Sequence, residues 1–301
     1  MQTPFRHAAA TITLGVLALV PPALTHTAIA QPERAGAAAH VQGEQGEPGE
    51  IASVDDLLRA LESAGGDISN LTARVQYTRT FAIAGDTQTR QGQLFYEKAT
   101  LISSAGPRPV IEMKRFAVRF ETLILQGGRV EEEIKDYVFD GEWFVERTPG
   151  SRQFIKRQVV PPGEVFDPLK VGEGPFPLPI GQKRDDILAE YEASMVDPAE
   201  DLNESLAGFV TREAGTYRLR LIPRDPGASA REVEVWYRTD TLLPRLARTV
   251  SAEGDESFVQ LVDVRQNEAA EIEPGIFNIQ TPRPGSGWDV RVEPWRGEGG
   301  R

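Results

Sequence analysis

The chain has no cysteine and only three histidines, which removes several kinds of chemistry from consideration. Without cysteine there is no disulfide, no thiolate nucleophile and no lipidated N-terminal cysteine. The histidines are His7, His26 and His40, so all three lie in the first 40 residues. The rest of the chain therefore lacks the side chain required for a Ser-His-Asp or Cys-His site and for a conventional zinc or haem site.

The sequence motifs of common hydrolases and nucleotide-binding proteins are also missing. There is no Gly-x-Ser-x-Gly sequence and no P-loop. The formal net charge is −12, from 33 basic and 45 acidic side chains, and an acidic chain repels nucleic-acid backbones and anionic headgroups. We therefore expect a binding protein rather than an enzyme, with no cofactor and no nucleic-acid partner.

Two acidic clusters are candidates for an acid–base pair or a metal site, but neither has the arrangement that such a site requires. Glu131–Glu133 follow one another in a strand-like segment and so point to alternating faces, which favours a solvated edge over an acid–base pair. Asp197, Glu200 and Asp201 offer the oxygen ligands that calcium prefers, but they lack the spacing of an EF-hand loop. The sequence predicts no metal site.

The first 30 residues have the parts of a secretory signal peptide. A basic start is followed by a short apolar segment over 8–20, and Ala28–Ala30 forms an A-x-A cleavage site. Because the apolar segment is too short to span a bilayer, a cleaved signal is favoured over a membrane anchor. Residues 31–50, rich in Gly, Ala, Glu and Gln, are predicted to be a disordered leader, and 294–301 a flexible tail.

An amphipathic helix is predicted immediately after the leader. Ser53 can cap its first turn, and Asp56 follows three residues later as in a capping box. The Gly65-Gly66 pair is expected to end the helix. The apolar side chains of the segment fall on a single stripe at helical spacing, and they are Val54, Leu57, Leu58, Leu61 and Ala64.

Most of the remaining chain is predicted to be antiparallel β-strand. Over 216–265, alternating apolar and polar residues with turn signals about every ten residues predict a four-stranded meander. Asp140-Gly141 is the strongest hairpin signal, because it separates two apolar-aromatic runs. The predicted strands are Leu71–Ile83, Gln88–Lys98, Met113–Gln126, Arg129–Asp140, Glu142–Arg147, Gln153–Val159, Thr216–Ile222, Arg231–Tyr237, Arg245–Ser251 and Phe258–Arg265, with possible edge strands at Ile276–Ile279 and Val290–Val292.

Residues 161–181 differ from the strands around them, since this segment holds six prolines and four glycines. A loop of that length in a compact domain is usually functional or disordered. A short helix is predicted over 182–191, with Ile187, Leu188 and Tyr191 on one side, and an acidic loop over 197–203 follows it.

Over residues 51–293, the order of these elements resembles the periplasmic outer-membrane lipoprotein carrier family (LolA-like). The helix segment Asp55–Leu61 precedes Gly92–Lys98, where the family has a glycine and then an aromatic-rich strand that ends in basic residues. Tyr137–Phe144 is similar to the family's Asp-Gly hairpin followed by a buried aromatic residue. Residues 231–264, together with Asn267, resemble its C-terminal half.

The resemblance implies an α+β fold, in which an open, unclosed antiparallel β-barrel or half-barrel carries a hydrophobic concave face. An N-terminal helix (53–64) and a short central helix (within 175–191) would form a lid over that face. Lys98 aligns with the arginine that controls the lid in the family, although lysine cannot make the same forked hydrogen bonds. The residues expected to line the cavity or the lid are Leu57, Leu58, Leu61, Leu94, Tyr96, Trp143, Ile187, Leu188, Tyr191, Leu219 and Val235.

Members of this family receive lipoprotein acyl chains in the concave face. The resemblance therefore implies a periplasmic protein that binds acylated lipoprotein or lipid cargo and shuttles it from an inner-membrane donor to an outer-membrane acceptor. The alternative is a lipid- or lipoprotein-sensing binding domain, because the same fold serves as a sensor in envelope-stress regulators. A sensor would associate with a membrane anti-sigma protein, whereas a carrier would associate with acylated cargo.

Cleavage after Ala30 is the first testable expectation, because the A-x-A site ends at this residue. The intact mass of protein exported from the cytoplasm should correspond to a chain that begins at Gln31. A mass that retains the first 30 residues would instead indicate a membrane-tethered protein.

Overall fold

The computed structural model of the protein describes residues 51–101, 111–161 and 180–295. The expected signal peptide (1–30) and leader (31–50) lie outside the described residues. So do most of the proline-rich segment and the last six residues of the expected tail. None of the helices that the model describes is long and apolar enough to cross a membrane.

Helix α1 spans Val54–Gly66 and begins at the predicted cap. The Ser53 hydroxyl oxygen accepts a hydrogen bond from the backbone N–H of Asp56 at 3.2 Å, which satisfies one of the amides that a helix start leaves unpaired. The apolar stripe faces the sheet, and its most buried members are Leu57, Leu58 and Leu61.

Twelve strands form one sheet that does not close on itself. Its order is β12-β6-β5-β4-β3-β2-β1-β11-β10-β9-β8-β7, so β12 and β7 are its two edges. All neighbours are antiparallel except β12 and β6, which are parallel. The strands are β1 (Asn70–Thr80), β2 (Thr87–Leu101), β3 (Ile111–Leu125), β4 (Val130–Phe139), β5 (Trp143–Thr148), β6 (Gln153–Gln158), β7 (Tyr191–Val196), β8 (Thr216–Pro223), β9 (Ala230–Arg238), β10 (Pro244–Ser251), β11 (Glu256–Gln266) and β12 (Asp289–Glu293).

Three helical elements complete the described chain: α2 (Arg184–Glu190), α3 (Glu204–Thr211) and a 3-10 turn at Asn267–Ala269. The predicted class, an open antiparallel sheet with an N-terminal and a short central helix over one face, is confirmed. Four details differ from the sequence-based expectation.

Helix α1 runs through Gly65-Gly66 instead of ending before them. The predicted central helix stops at Glu190, because Tyr191 begins the edge strand β7. Helix α3 was not predicted, although Asn203 caps it by accepting a hydrogen bond from the Leu206 amide at 3.0 Å.

Residues 276–279 are a turn and an irregular segment rather than an edge strand. Ile276 and Phe277 are nevertheless buried, since they pack on a face of the sheet. Their apolar character therefore reflects burial against the sheet and not pairing within it.

Both faces of the sheet carry apolar side chains, and each is covered. The face under α1 and α2, here called the concave face, holds the largest cluster. On the opposite, convex face, the segment 272–288 covers a cluster on β2–β6 that includes Phe95 and Phe154. Helix α3 covers a third cluster around Trp236 and Leu246.

Strand β3 has a β-bulge opposite Gly92 of its neighbour β2. Gln91 pairs with Thr122 and Gly92 with Phe120, so Glu121 is the extra residue. A Cβ atom on Gly92 would lie 1.9 Å from the Arg119 carbonyl oxygen, and glycine is therefore required for the strands to approach. The bulge increases the local twist of the sheet.

A buried ion-pair network lies on the convex face of β8–β11. The Glu234 carboxylate is fully buried and accepts hydrogen bonds from Arg218, Arg220 and Arg248 at 2.7–3.0 Å. Arg218 also donates to two backbone carbonyls of the 197–200 loop and so fixes that loop on the sheet. Burial raises the pKa of Glu234, but the three arginines outweigh this effect and hold the pKa below its ordinary value.

Replacing this carboxylate should destabilise the fold strongly. We expect Glu234→Gln to lower the free energy of unfolding by about 3–5 kcal/mol, because Arg218 is left buried without a counterion. The matched control is Glu232→Gln on the same face of β9, where the carboxylate is partly exposed and should contribute at most about 1 kcal/mol. Chemical denaturation of both variants measures the difference.

The same carboxylate predicts a pH dependence. Because its folded-state pKa is depressed, its contribution is complete above the unfolded pKa of about 4.3 and is lost as the pH falls toward the lower folded value. Glu234→Gln should flatten the stability profile in this acidic range. A profile equally steep with and without Glu234 would contradict this assignment.

Candidate functional site

The concave face is the largest apolar surface in the described chain, and helix α1 closes it. Leu57 and Leu58 of α1 are at most 1% exposed, and Leu61 is 8% exposed. They contact residues of strands on both sides of β1, including Leu94 and Tyr96 of β2. The helix therefore occupies the concave surface with its own side chains.

Most of the residues expected to line this surface are brought together in it. All but one of the eleven lie in or against the concave cluster, and nine of these ten are buried. The tenth, Leu188, is partly buried against the same cluster. The buried nine are Leu57, Leu58, Leu61, Leu94, Tyr96, Ile187, Tyr191, Leu219 and Val235.

Trp143 is the exception and does not join the cluster. In β5 it is Phe144 that packs against the concave cluster, and adjacent residues of a strand face opposite sides. The ammonium of Lys156 lies 4.9 Å from the centroid of the Trp143 ring. The expected aromatic lining of this hairpin is thus supplied by the neighbouring residue.

A chain of aromatic rings, which we call the aromatic arc, crosses the concave face from β1 to β5. Successive ring centroids are 6.1–6.2 Å apart, a distance typical of favourable aromatic pairs. Three of the rings are buried and three are half-buried, so part of the arc is accessible. In order, the rings are Tyr77, Phe120, Tyr137, Phe144, Phe116 and Phe139.

Sequence reasoning did not select the aromatic arc. Phe116 and Phe120 recur with even spacing in β3, and Tyr137 and Phe139 do so in β4. That spacing places each pair on one face of its strand. The signal was therefore present, but which face is concave depends on pairing between distant strands.

The C-terminal end of α1 is held to the sheet by polar contacts. The ammonium of Lys98, the expected gating residue, donates a hydrogen bond to the Gly66 carbonyl at 2.8 Å. Asn267 binds the connection between α1 and β1 from the other side. Its amide donates to the Asp67 carbonyl at 3.0 Å and accepts from the Ser69 N–H at 2.8 Å.

The other contacts of α1 come from Arg184, the first residue of α2. Its guanidinium donates to Asp55 at 2.5 Å, and its backbone N–H donates to Glu62 at 3.1 Å. Hydrogen bonding to Asp55 raises the pKa of Arg184, so this guanidinium is charged at all physiological pH values. Helices α1 and α2 are therefore connected by one ion pair and one hydrogen bond.

A close backbone contact also joins α1 to the segment before α2. A Cβ atom on Gly65 would lie 2.1 Å from the Cα of Gly181. Gly181 itself has φ +64°, a conformation that glycine adopts without strain. The two glycines let the end of α1 and the start of the α2 segment touch.

The concave face offers apolar contact and little chemistry. Burial raises the pKa of the Tyr77 and Tyr237 phenols, so both are neutral at physiological pH. Within the described residues, no group of three or more His, Cys, Asp or Glu side chains is placed to hold a metal ion. The described part of this face is thus lined mainly by apolar and aromatic side chains.

No protein-family model matches this chain, and no curated protein matches it. Among solved structures, an uncharacterised conserved protein from Thermus thermophilus is similar at 11% identity, with a TM-score of 0.38, over 80% of this chain and 98% of that one. A LolA superfamily protein from Nitrosomonas europaea is similar at 11% identity, with a TM-score of 0.30, over 75% and 98% of the two chains.

The MucA/MucB complex of Pseudomonas aeruginosa also contains a similar chain, at 17% identity and a TM-score of 0.34, over 74% of this chain and 59% of that one. The superfamily that the sequence resembles is thus present among the similar structures. At these identities and TM-scores the matches carry no information about ligand or partner.

The contact between Gly65 and Gly181 leads to a test of how α1 is seated. We expect Gly65→Ala to lower the free energy of unfolding by about 1–3 kcal/mol through overpacking. Displacing α1 should also increase the binding of an apolar fluorescent dye. The matched control is Gly66→Ala, because Gly66 is exposed and its added Cβ would meet no atom within 4 Å.

In both variants, alanine favours the helical conformation over glycine by the same amount, about 1 kcal/mol. The difference between their melting temperatures and dye binding therefore isolates the contact with Gly181. Equal behaviour of the two variants would show that the α1 end is not held by this contact.

Proposed function

We propose that this protein is a carrier that binds acyl chains of lipoproteins or lipids on its concave face, with helix α1 as a displaceable lid. The observation that carries the proposal is that α1 fills the concave face with Leu57, Leu58 and Leu61 while its polar contacts lie at the rim. An acyl chain offers the same apolar contact as these leucines and can replace them.

The energetics favour reversible binding. Burying three leucines stabilises the closed form by about 6 kcal/mol, at about 2 kcal/mol each. A sixteen-carbon chain buried fully contributes about 13 kcal/mol, at about 0.8 kcal/mol per CH₂ group. The difference of about 7 kcal/mol corresponds to a dissociation constant between millimolar and micromolar. A carrier needs this intermediate affinity, because it must release its cargo.

The proposal includes a place of action and partners. The expected signal peptide would deliver the protein to the periplasm, where an inner-membrane donor would load the acylated cargo and an outer-membrane acceptor would remove it. The protein would need no cofactor and would catalyse no reaction. Lys98 is proposed to control the lid, since its ammonium holds the C-terminal carbonyl of α1.

The test of the lid replaces one of its leucines. We expect Leu57→Ala to lower the free energy of unfolding by about 2–5 kcal/mol. It should also raise the apparent affinity for an acylated peptide, since the ligand no longer has to displace that side chain. Thermal melts and displacement of a fluorescent fatty acid measure the two quantities.

The control is Leu246→Ala, an equally buried leucine in the cluster on the convex face. It should lose similar stability and leave ligand affinity unchanged. If Leu57→Ala binds less tightly than the unmodified protein, or if both variants change binding alike, α1 is ordinary core and not a lid.

The identity of the cargo requires a separate measurement. Mass spectrometry of material that co-purifies with the exported protein should find acylated lipoproteins or lipids. Recovery of a membrane anti-sigma protein without acylated cargo would instead favour a sensor domain.

A further inference from the structure

Strands β10 and β11 separate near one end of the sheet. Their pairing extends from Val250 opposite Glu256 to Leu246 opposite Gln260. Strand β10 nevertheless begins at Pro244, and β11 continues to Gln266. On its other side, β10 shifts register against β9 between Pro244 and Leu246, which places Arg245 at an irregularity.

Strand β11 contributes to the separation through its own irregularity. Asp263 has φ +53°, a left-handed conformation that is uncommon for residues other than glycine. The pairing of β11 with β1 shifts register at the same place. The two strands thus diverge on both sides of the gap, and no strand in the described chain fills it.

A pocket of about 490 Å³ occupies this gap. It lies at the strand ends, and three of its lining residues, Leu243, Leu261 and Val264, also belong to the concave cluster or pack against it. Phe209, Leu243, Pro244 and Val264 supply apolar wall. Its charged lining consists of four arginines and two acids, namely Arg74, Arg212, Arg238, Arg245, Glu213 and Asp263.

Two of the arginines already have close carboxylate partners. Arg74 pairs with Asp263 at 2.6 Å. Arg238 pairs with Glu213 at 2.6 Å and with Asp240 at 2.8 Å. These three carboxylates therefore have their strongest contacts with Arg74 and Arg238.

Arg245 is the buried cation that lacks such a partner. Its side chain is 6% exposed. Its Nη1 donates to the Arg212 carbonyl at 3.3 Å and lies 3.5 Å from a Glu213 oxygen that Arg238 already binds. A guanidinium has five N–H donors, and in the described chain the Nε and Nη2 groups of Arg245 meet no hydrogen-bond acceptor.

Among the four arginines of the pocket, Arg212 is the second without a carboxylate of the described chain at hydrogen-bond distance. Its guanidinium lies 4.8 Å from the centroid of Phe209, and that of Arg245 lies at the same distance from the same ring. The ring thus positions two guanidinium groups that point into one pocket. Burial lowers the pKa of Arg245, in agreement with a cation that has little compensation.

We propose that this pocket binds the anionic group of a small organic molecule, a carboxylate or a phosphate, between Arg245 and Arg212. Guanidinium groups match both anions, because their forked N–H donors bind two oxygens at once. The apolar wall accommodates the short hydrocarbon part of such a ligand. The arginines of this site are not part of the contacts proposed for an acyl chain at α1, so the outcome for one proposal does not decide the other.

A structural role for Arg245 predicts a different result from a binding role. A buried charge that stabilises the fold should cost stability when it is removed. If the buried charge serves to bind an external anion, its removal should change the stability of the ligand-free protein little. Replacing an uncompensated ion by an apolar side chain is often neutral or stabilising. Arg245→Met distinguishes the two roles by its melting temperature without ligand.

The experiment uses the exported full-length protein with acetate, hexanoate, inorganic phosphate and glycerol phosphate, and chloride at equal ionic strength as reference. Calorimetry and thermal melts should show binding and stabilisation by at least one organic anion above chloride. Arg245→Met should weaken this binding more than tenfold and should melt at or above the temperature of the unmodified protein. If hexanoate binds more tightly than glycerol phosphate, the ligand is a carboxylate. If glycerol phosphate binds more tightly, the ligand is a phosphate.

The matched control is Arg291→Met, because Arg291 lies on the edge strand β12 and its one carboxylate contact is 3.6 Å long. It should leave anion binding unchanged. If Arg245→Met does not fold, the same anion-binding measurement is made on Arg212→Gln, since Arg212 is exposed. We then expect the affinity for the anion to fall at least fivefold. The proposal is overturned if no anion binds more tightly than chloride, or if the arginine variant that folds binds with unchanged affinity.

Discussion

The structure depends on one constraint: a twelve-stranded sheet that does not close and is apolar on both faces. A closed barrel would bury one face inside itself and expose the other. An open sheet of this kind must have each apolar face covered by another part of the chain. The two lid helices cover the concave face, and α3 and the segment 272–288 cover the convex one.

The two kinds of cover are attached differently. On the convex side, buried polar contacts fix the loop before α3, through Arg218 with Glu234 and through the Trp236 indole N–H, which donates to the Pro198 carbonyl at 2.8 Å. Displacing this loop would break the hydrogen bonds that Arg218 and Trp236 donate to its backbone carbonyls. On the concave side, α1 is attached by leucines and by polar groups that water can solvate. The concave cover is therefore the more weakly attached of the two, which is the basis of the lid proposal.

The features that were predicted well from the sequence are those that residues close together in the chain determine. The Ser53 cap, the leucine stripe of α1 and the alternation of most strands are local patterns, and their positions agree with the structure to within a few residues. The alternation predicted antiparallel strands, and the resemblance to the lipoprotein carrier family supplied the expectation of an open sheet covered by helices, which the structure confirms.

The missed features depend on contacts between distant segments. Choosing Phe144 instead of Trp143 required knowing which face of β5 is concave, and that is set by pairing with β4 and β6. Arg184 contacts Asp55 of α1 although the two residues are 129 positions apart in the chain, and no local pattern indicates such a pair. The pocket between β10 and β11 arises from irregularities in strand pairing, which alternation of residue types does not encode.

The contacts of α1 also determine where the concave face opens at least cost. At its C-terminal end, Lys98 and Asn267 bind the backbone of Gly66, Asp67 and Ser69, and the chain continues directly into β1. At its N-terminal end the polar attachment is the surface ion pair of Arg184 with Asp55, and exposed pairs contribute at most about 1 kcal/mol. Displacement that begins at the first turn of α1 keeps the C-terminal contacts as a pivot and uncovers Leu57 and Leu58 first. In the carrier function proposed above, Leu57 and Leu58 would thus be the leucines that an entering acyl chain replaces.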